Sequence, residues 1–167
     1  ASEEPQDDGV DRPEIVLPSG WENVYEGWES DDPVEQAVLN DAAEAQNAVD
    51  LAILEREPDA DYVRFYHSAE ALVGAEEWIG GFLENDRTIS GTVRYFNPQG
   101  TLQGDSGAAL TYCADESDAV AVDVNTGEEL PDESGEQFVS YSNLLRKDER
   151  GVWVTTALQS ERERCGG

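Results

Sequence analysis

The sequence predicts an α+β domain in which N-terminal helices pack on a curved antiparallel sheet of about five strands. Up to about residue 85, apolar side chains recur every three to four positions, which is the period of an amphipathic helix. From Thr88 onward the period changes to two, as in half-buried strands. Because a run of helices precedes a run of strands, the long helix is expected to lie across the sheet.

The first helix has a clear start signal. Asp32 suits the N-cap, Pro33 the first helical position, and Glu35 the first turn. The helix is expected to stop before Pro58. Its apolar stripe consists of Val34, Val38, Ala45, Val49 and Ala52.

Two shorter helical stretches are expected after Pro58. One begins near Asp61, and the other covers roughly residues 75–84, where Gly80 and Gly81 weaken it.

Turn-forming residues divide the strand region. Turns are expected at 97–100, 115–118 and 125–127, where Asn, Pro, Asp, Ser and Gly are concentrated. A hairpin is expected around residues 148–151, because an alternating segment lies on each side.

Length and charge limit the classes of function. The 167 residues suit one domain with a tail and are too few for two ordinary domains. There are 38 acids and 10 bases, so the formal net charge is -28. Such a surface repels nucleic acid and anionic lipid headgroups, which excludes both as partners of the folded surface. No apolar run approaches the ~20 residues of a membrane span.

The first thirty residues are expected to form a flexible acidic tether, followed by a single α+β domain over 31–167. Residues 1–20 are rich in acid, Pro and Gly, and they carry one base, Arg12. This composition buries too little apolar surface to offset the entropy of ordering it. We expect the tether to follow an export signal that has been removed.

The two cysteines, Cys113 and Cys165, are expected to form a disulfide. Their spacing does not fit a zinc site, and the one histidine, His67, cannot complete such a set. The bridge would close a loop of about 50 residues and add roughly 4 kcal/mol of stability in the chain-entropy model. It would require an oxidising compartment, and two unrelated free thiols are the alternative.

Several features together resemble a known family. They are the step from Pro58 to Tyr66, the strand that ends at Cys113, the turn D-V-N-T-G at 123–127, the hairpin R-K-D-E-R-G-V-W at 146–153, and Cys165. With the order of elements, they resemble small secreted proteins and lipoproteins of actinobacteria that have a nuclear-transport-factor-2-like cone. The resemblance implies an extracytoplasmic location, with lipid anchoring through a cysteine upstream of Ala1. It implies no catalytic residue.

Cones of this superfamily enclose a pocket, and five side chains are candidates for lining it. They are Tyr66, His67, Trp78, Tyr95 and Tyr112. Relatives with isomerase, dehydratase or epoxide hydrolase activity need a carboxylate or a His–Asp pair as base, with a Tyr or Trp donor nearby. His67 has no partner by spacing, and the aromatic residues fit a packed core equally well.

The expected function is therefore a non-catalytic module, secreted or lipid-anchored, that binds an unknown protein or small ligand at the cell surface. Phosphate-binding glycine loops and the nucleophile elbow are absent from the sequence, and no cofactor or metal is predicted. Two alternatives stay open. One is a small-molecule isomerase, dehydratase or hydrolase that uses the cone pocket, and the other is a surface interaction factor of a phage or mobile element.

Overall fold

A computed structural model describes residues 9–130, 137–162 and Cys165. This part of the chain contains three helices and six strands. In chain order they are β1 (Trp21–Tyr25), α1 (Pro33–Glu55), α2 (Asp61–Tyr66), α3 (Ala69–Glu84), β2 (Arg87–Gln103), β3 (Gly107–Asp123), β4 (Glu129–Leu130), β5 (Phe138–Lys147) and β6 (Trp153–Arg162). The predicted α+β class is confirmed.

The strands form one mixed sheet with the order β1-β2-β3-β5-β6, and the short β4 pairs with β3. β1 runs parallel to β2, whereas the other pairs are antiparallel. Helices α1 and α3 both contact β2 and β6, which lie on opposite sides of β3 and β5 in the sheet, so both helices lie across the sheet.

The start and end of α1 agree with the sequence signals. The Asp32 carboxylate accepts a hydrogen bond from the Val34 N–H at 2.9 Å, and Pro33 occupies the first turn. The helix ends at Glu55, because Arg56 adopts a left-handed conformation with φ 62°. Four of the five predicted stripe residues are buried, whereas Val34 is exposed.

The third helix begins earlier than the sequence indicated. It starts at Ala69 and continues through Gly80 and Gly81 to Glu84. A Cβ atom added at either glycine would meet no other atom within 4 Å, so both glycines lie on an open face where they cost helix propensity but no packing.

Two predicted turns are wrong, because β2 and β3 run straight through them. Each strand has 17 residues. The Asn-Pro pair at 97–98 lies in a register shift between Phe96 and Gln99, where Asn97 has a φ of 56°. The residues expected to turn at 115–118 lie opposite a second shift in β2, between Thr92 and Arg94. Such irregularities bend a strand without ending it, and they curve the sheet.

The hairpin between β5 and β6 is confirmed. Asp148 and Gly151 close its turn through the Gly151 N–H, which donates to the Asp148 carbonyl at 3.0 Å. The Asp148 N–H in turn donates to the Val152 carbonyl at 2.9 Å. Gly151 has a φ of 90°, which a side chain would disfavour.

The flexible tether predicted over residues 1–30 needs correction. Within it, β1 pairs in register with residues 91–95 of β2. Trp21 and Trp28 are buried in the core, and Leu17 packs against it. The acidic composition concealed these apolar residues, whose burial offsets the entropy of ordering the segment. Residues 1–8 lie outside the described residues.

A buried ion pair ties the N-terminal segment to the rest of the fold. The Asp41 side chain of α1 is completely buried, and its two oxygens accept from Arg12 Nε at 3.1 Å and Nη2 at 3.2 Å. The same carboxylate accepts from the Trp153 backbone N–H at 2.9 Å. One side chain thus holds residue 12, α1 and the first residue of β6 together.

The predicted disulfide is present. Cys113 of β3 and Cys165 are bonded, with their Cα atoms 5.6 Å apart. The bridge attaches the C-terminal end of the chain to the middle of the sheet.

None of the helices in the described residues has the length and hydropathy that a membrane span requires.

We predict that Asp41→Asn lowers the free energy of unfolding by about 3 kcal/mol or more. The substitution removes the carboxylate charge that faces the largely buried Arg12 guanidinium, and breaking a buried ion pair in this way typically costs about 3–5 kcal/mol. Urea unfolding followed by circular dichroism measures the change.

The matched control is Asp61→Asn, which breaks an ion pair of Arg64 in which the Asp61 side chain is 98% exposed. An exposed pair contributes about 0–1 kcal/mol, so this variant should unfold close to the unmodified chain. Equal losses in the two variants would show that Asp41 does not hold the fold together.

Candidate functional site

The side of α1 that faces β1 carries a buried carboxyl group, that of Asp50. Asp50 is 5% exposed. Its Oδ2 accepts from Asn23 Nδ2 at 2.7 Å and from Trp21 Nε1 at 3.3 Å, and both donors belong to β1. Gln46, one helical turn earlier, donates to Oδ1 at 3.3 Å. Asp50 therefore joins α1 to β1 through neutral donors.

Four tyrosine rings lie near Asp50 on the inner face of the sheet. Tyr25 stacks on Tyr95 with ring centroids 5.2 Å apart, and Tyr112 stacks on Tyr141 at the same distance. Tyr95 meets Tyr112 edge to face at 5.9 Å. Trp28 closes the group, with edge contacts to Tyr25 at 4.9 Å and Tyr112 at 5.0 Å. We call this set, with Asp50, the interior cluster.

Burial controls the ionisation of the interior cluster. Desolvation raises the pKa of Asp50 to about 6, although the hydrogen bonds from Asn23, Gln46 and Trp21 act in the opposite direction. Burial also raises the pKa of Tyr95, Tyr112 and Tyr141, and the nearby Asp50 carboxylate adds to each increase. The phenols are consequently neutral hydrogen-bond donors throughout the physiological pH range.

The groups of the interior cluster could in principle act as an acid–base pair. A carboxyl group with a pKa near 6 can accept a proton, and a neutral phenol can donate to a developing oxyanion. However, Asp50 is already bound by three donors of its own chain. The aromatic rings around it are also in mutual contact, so the cluster has the organisation of a packed polar core.

The structure separates the five predicted pocket residues into three places. Tyr95 and Tyr112 belong to the interior cluster, as described above. Tyr66 and His67 lie at the end of α2, where Tyr66 is completely buried and His67 is 5% exposed. Trp78 lies on α3 and is 56% exposed, with Phe82 against its ring.

His67 lines an open cleft between the end of α2 and the β5–β6 hairpin. The cleft has a volume of about 290 Å³, and its wall includes Arg64, Ser68, Arg146 and Lys147. The Nδ1–H of His67 donates to the Val63 carbonyl at 2.8 Å, which leaves Nε2 as the second ring position. Burial lowers the pKa of His67, so its imidazole is neutral at pH 7.

A second open cleft, of about 470 Å³, runs along α3. Its wall includes Val73, Glu76, Glu77 and Glu84. Val73 is 56% exposed, so this face combines apolar and acidic side chains.

Sequence reasoning missed Asp50, Asn23, Tyr25 and Tyr141. A signal existed for Asp50, because Asn47 and Asp50 lie three positions apart on one face of α1 and share partners from β1. The alternation of Trp21, Asn23 and Tyr25 also has the period of a strand. Both signals are weak. Asp50 is one of 38 acids, and the alternation of Trp21, Asn23 and Tyr25 lies in a segment whose composition predicts a tether.

Within residues 9–130, 137–162 and Cys165, no group of three or more His, Cys, Asp or Glu side chains has an arrangement that could hold a metal ion.

Comparison with known proteins gives structural matches only. No family model matches the chain, and no curated protein does. The intermembrane space region of the chloroplast protein ARC6 matches with a TM-score of 0.51 and 12% identity, over 74% of this chain and 93% of that one. A protein from Catenulispora acidiphila matches with a TM-score of 0.51 and 11% identity, over 78% of this chain and 94% of that one.

These matches show the fold and nothing finer. A third structure, provisionally assigned as a ketosteroid isomerase from Shewanella frigidimarina, has 15% identity over 84% of this chain and 99% of that one. Its TM-score of 0.44 is too low to carry an argument. The two matches with TM-scores of 0.51 support the arrangement of helices on a mixed sheet, and the nuclear-transport-factor-2-like cone stays a prediction.

We predict that Asp50 makes the stability of the fold depend on pH between about 4 and 6. The folded state binds the Asp50 proton more tightly than the unfolded chain does, since the pKa rises from 3.8 to about 6 on folding. This contribution is complete below pH 4 and is lost as pH rises through 6. Relative to Asp50→Asn, the unmodified chain should lose roughly 3 kcal/mol of unfolding free energy across this window.

Urea unfolding of both proteins at several pH values gives the difference curve. The control is Asp59→Asn, which removes an exposed carboxylate between α1 and α2. A flat curve for Asp50→Asn would contradict the prediction, because it would mean that folding does not raise the pKa of Asp50.

Proposed function

We propose that this protein is a non-catalytic binding module that acts outside the cytosol and takes its ligand on its outer surface. The observation that carries the proposal is the state of Asp50. The Asp50 carboxyl group accepts hydrogen bonds from the side chains of Trp21, Asn23 and Gln46 of its own chain. A general base must instead direct a lone pair at its substrate.

The aromatic contacts support the same conclusion. Trp28 touches both tyrosine stacks of the interior cluster, so the rings fill the space in front of Asp50 with one another. Aromatic pairs at these distances stabilise a core, and a ligand would have to separate them in order to enter.

The outer surface offers places to bind. Two open clefts of the described residues lie outside the interior cluster, one along α3 and one beside the β5–β6 hairpin. Trp78 on α3 is 56% exposed and its ring contacts Phe82, and exposed apolar side chains that lie close together commonly mark interaction surfaces.

Two observations support a location outside the cytosol. The Cys113–Cys165 bridge requires an oxidising environment to form and persist. The motifs from Cys113 to Cys165 resemble those of exported actinobacterial proteins, which are secreted or carried on a lipid anchor.

A small-molecule enzyme is the second candidate, and it has specific observations in its favour. Asp50, with a pKa of about 6, lies close enough to Tyr95 and Tyr112 to raise their pKa values, so a base and two phenol donors are neighbours. In addition, Trp28 Nε1 and Asn143 Oδ1 are buried without a hydrogen-bond partner among the described residues. An isomerase, dehydratase or hydrolase would need the interior cluster to open.

Tryptophan fluorescence distinguishes a closed interior from an open one. Three of the four tryptophans, Trp21, Trp28 and Trp153, are buried, whereas Trp78 is exposed. We predict that Trp78→Phe lowers the Stern–Volmer slope for acrylamide several-fold, because the remaining indoles are shielded.

The control variant is Val73→Ala, which changes another exposed apolar side chain of α3 and keeps all four indoles. It should be quenched like the unmodified chain. If Trp78→Phe were quenched as strongly as the unmodified chain, the interior would be accessible, and the enzyme would become the better candidate.

The state of the cysteines in protein from its native host tests the proposed location. We predict that iodoacetamide labels neither Cys113 nor Cys165 before reduction and labels both after it, as read by peptide mass spectrometry. Labelling before reduction would show that the protein resides in a reducing compartment and would contradict export.

A further inference from the structure

The cleft beside the β5–β6 hairpin has a charge opposite to that of the whole protein. Four bases line it, namely Arg64, Arg146, Lys147 and Arg150, and Asp148 is the one acid on its wall. The whole sequence has 10 bases and 38 acids. Nearly half of the bases therefore meet in one place, and we call this site the basic cleft.

One arginine of the basic cleft is held in place by its neighbours. Arg150 donates to the Asp148 carboxylate at 2.6 Å and to the Phe65 carbonyl at 2.9 Å. Its guanidinium also lies 4.0 Å from the centre of the Phe65 ring. These contacts join the hairpin turn to α2 and fix one wall of the basic cleft before any ligand arrives.

Two other bases of the basic cleft differ from Arg150. Arg146 and Lys147, the last residues of β5, are exposed and form no ion pair within the described residues. Arg64 differs, because it pairs with Asp61. The basic cleft therefore combines a preorganised arginine with two cations that are available to a ligand.

We propose that the basic cleft binds a small soluble oxyanion of the phosphate or sulfate type. This inference rests on the proposed binding role and names a ligand class for one of its two clefts. Guanidinium and ammonium groups are the usual partners of such anions, since they supply charge-assisted hydrogen bonds. The Ser68 hydroxyl on the same wall adds a neutral donor.

The size and charge of the chain restrict the ligand to a small one. The cleft volume of about 290 Å³ is close to the roughly 300 Å³ of the smallest usual small-molecule sites. An anionic polymer or membrane would also face the surrounding surface of a protein with net charge -28. A single oxyanion needs to approach only the local positive charge, because salt screens more distant acids over about 8–10 Å.

His67 provides a built-in reporter of occupancy. It is the single histidine of the sequence, so its ring gives one set of NMR signals. It lines the basic cleft together with the four bases and Asp148, and without ligand its burial favours the neutral ring. An oxyanion bound beside it would favour the charged ring.

The experiment is a titration of the full chain with sodium phosphate at pH 6.5, with sodium chloride added to keep the ionic strength constant. We expect the His67 ring signals to move towards the imidazolium position and to saturate. Sulfate should act similarly, and chloride alone should have no such effect.

Matched variants locate the site. Arg146→Gln and Lys147→Gln should each weaken the apparent phosphate affinity roughly fivefold, the factor expected for one exposed charge contact. Arg87→Gln removes an exposed base at the start of β2, outside the basic cleft, and should leave the affinity unchanged. All three positions are exposed, so folding should be preserved.

Three results would overturn the proposal. They are a linear shift without saturation, an equal response to chloride, and an equal affinity in all three variants. Sedimentation with phosphatidic acid vesicles in the absence of a saturable phosphate response would also contradict it, because the ligand would then be a lipid surface. None of these results alters the tryptophan quenching or cysteine labelling, which test the proposed binding role separately.

Discussion

The Asp41 carboxylate is the contact on which the arrangement of the other elements depends. It is completely buried, and it is satisfied by Arg12 from the N-terminal segment and by the backbone N–H of Trp153. A buried carboxylate without partners would be costly, so α1 is stable in this position only when both other segments are in place. Asp41 thereby fixes the beginning of β6, and the hairpin turn that forms one side of the basic cleft lies immediately before it.

Local signals predicted those parts of the fold that local interactions determine. The start of α1 depends on Asp32 and Pro33, which act within a single turn, and the β5–β6 hairpin depends on its own four-residue turn. The failures involve partners distant in sequence. The Asn-Pro pair at 97–98 would turn an isolated strand, but pairing with β3 on both sides of the irregularity carries β2 onward. Strand β1 was missed for the same reason, because it forms only against residues 91–95.

The candidate sites were predictable in part. Tyr95 and Tyr112 stood out as aromatic residues in strands, and they do face the interior. Asp50 did not stand out, because it is one of 38 acids and its special character comes from burial among neutral donors. The basic cleft was equally hidden. Its bases come from α2, from the end of β5 and from the β5–β6 turn, and only the packing of α2 beside that hairpin brings them together.

The two buried aspartates of α1 have different partners, a cation for Asp41 and neutral donors for Asp50. Asp41 and Asp50 lie nine positions apart, and both are almost inaccessible to water. Asp41 meets an arginine, so its charge is compensated where it stands, and the contact acts as a structural tie. Asp50 meets an indole, an asparagine and a glutamine, which stabilise a carboxylate less than a cation does, and burial therefore raises its pKa.

This difference also bears on where a ligand can bind. Arg12 is used by Asp41 inside the fold, whereas Arg146 and Lys147 are exposed and form no ion pair with another described residue. In a chain with so few bases, two exposed cations beside a fixed arginine concentrate positive charge at one place on the surface. In the interior, Asp50 accepts hydrogen bonds from donors of its own chain, whereas Arg146 and Lys147 are exposed on the outer surface. We therefore expect charged ligands to bind beside the hairpin and not at the interior cluster.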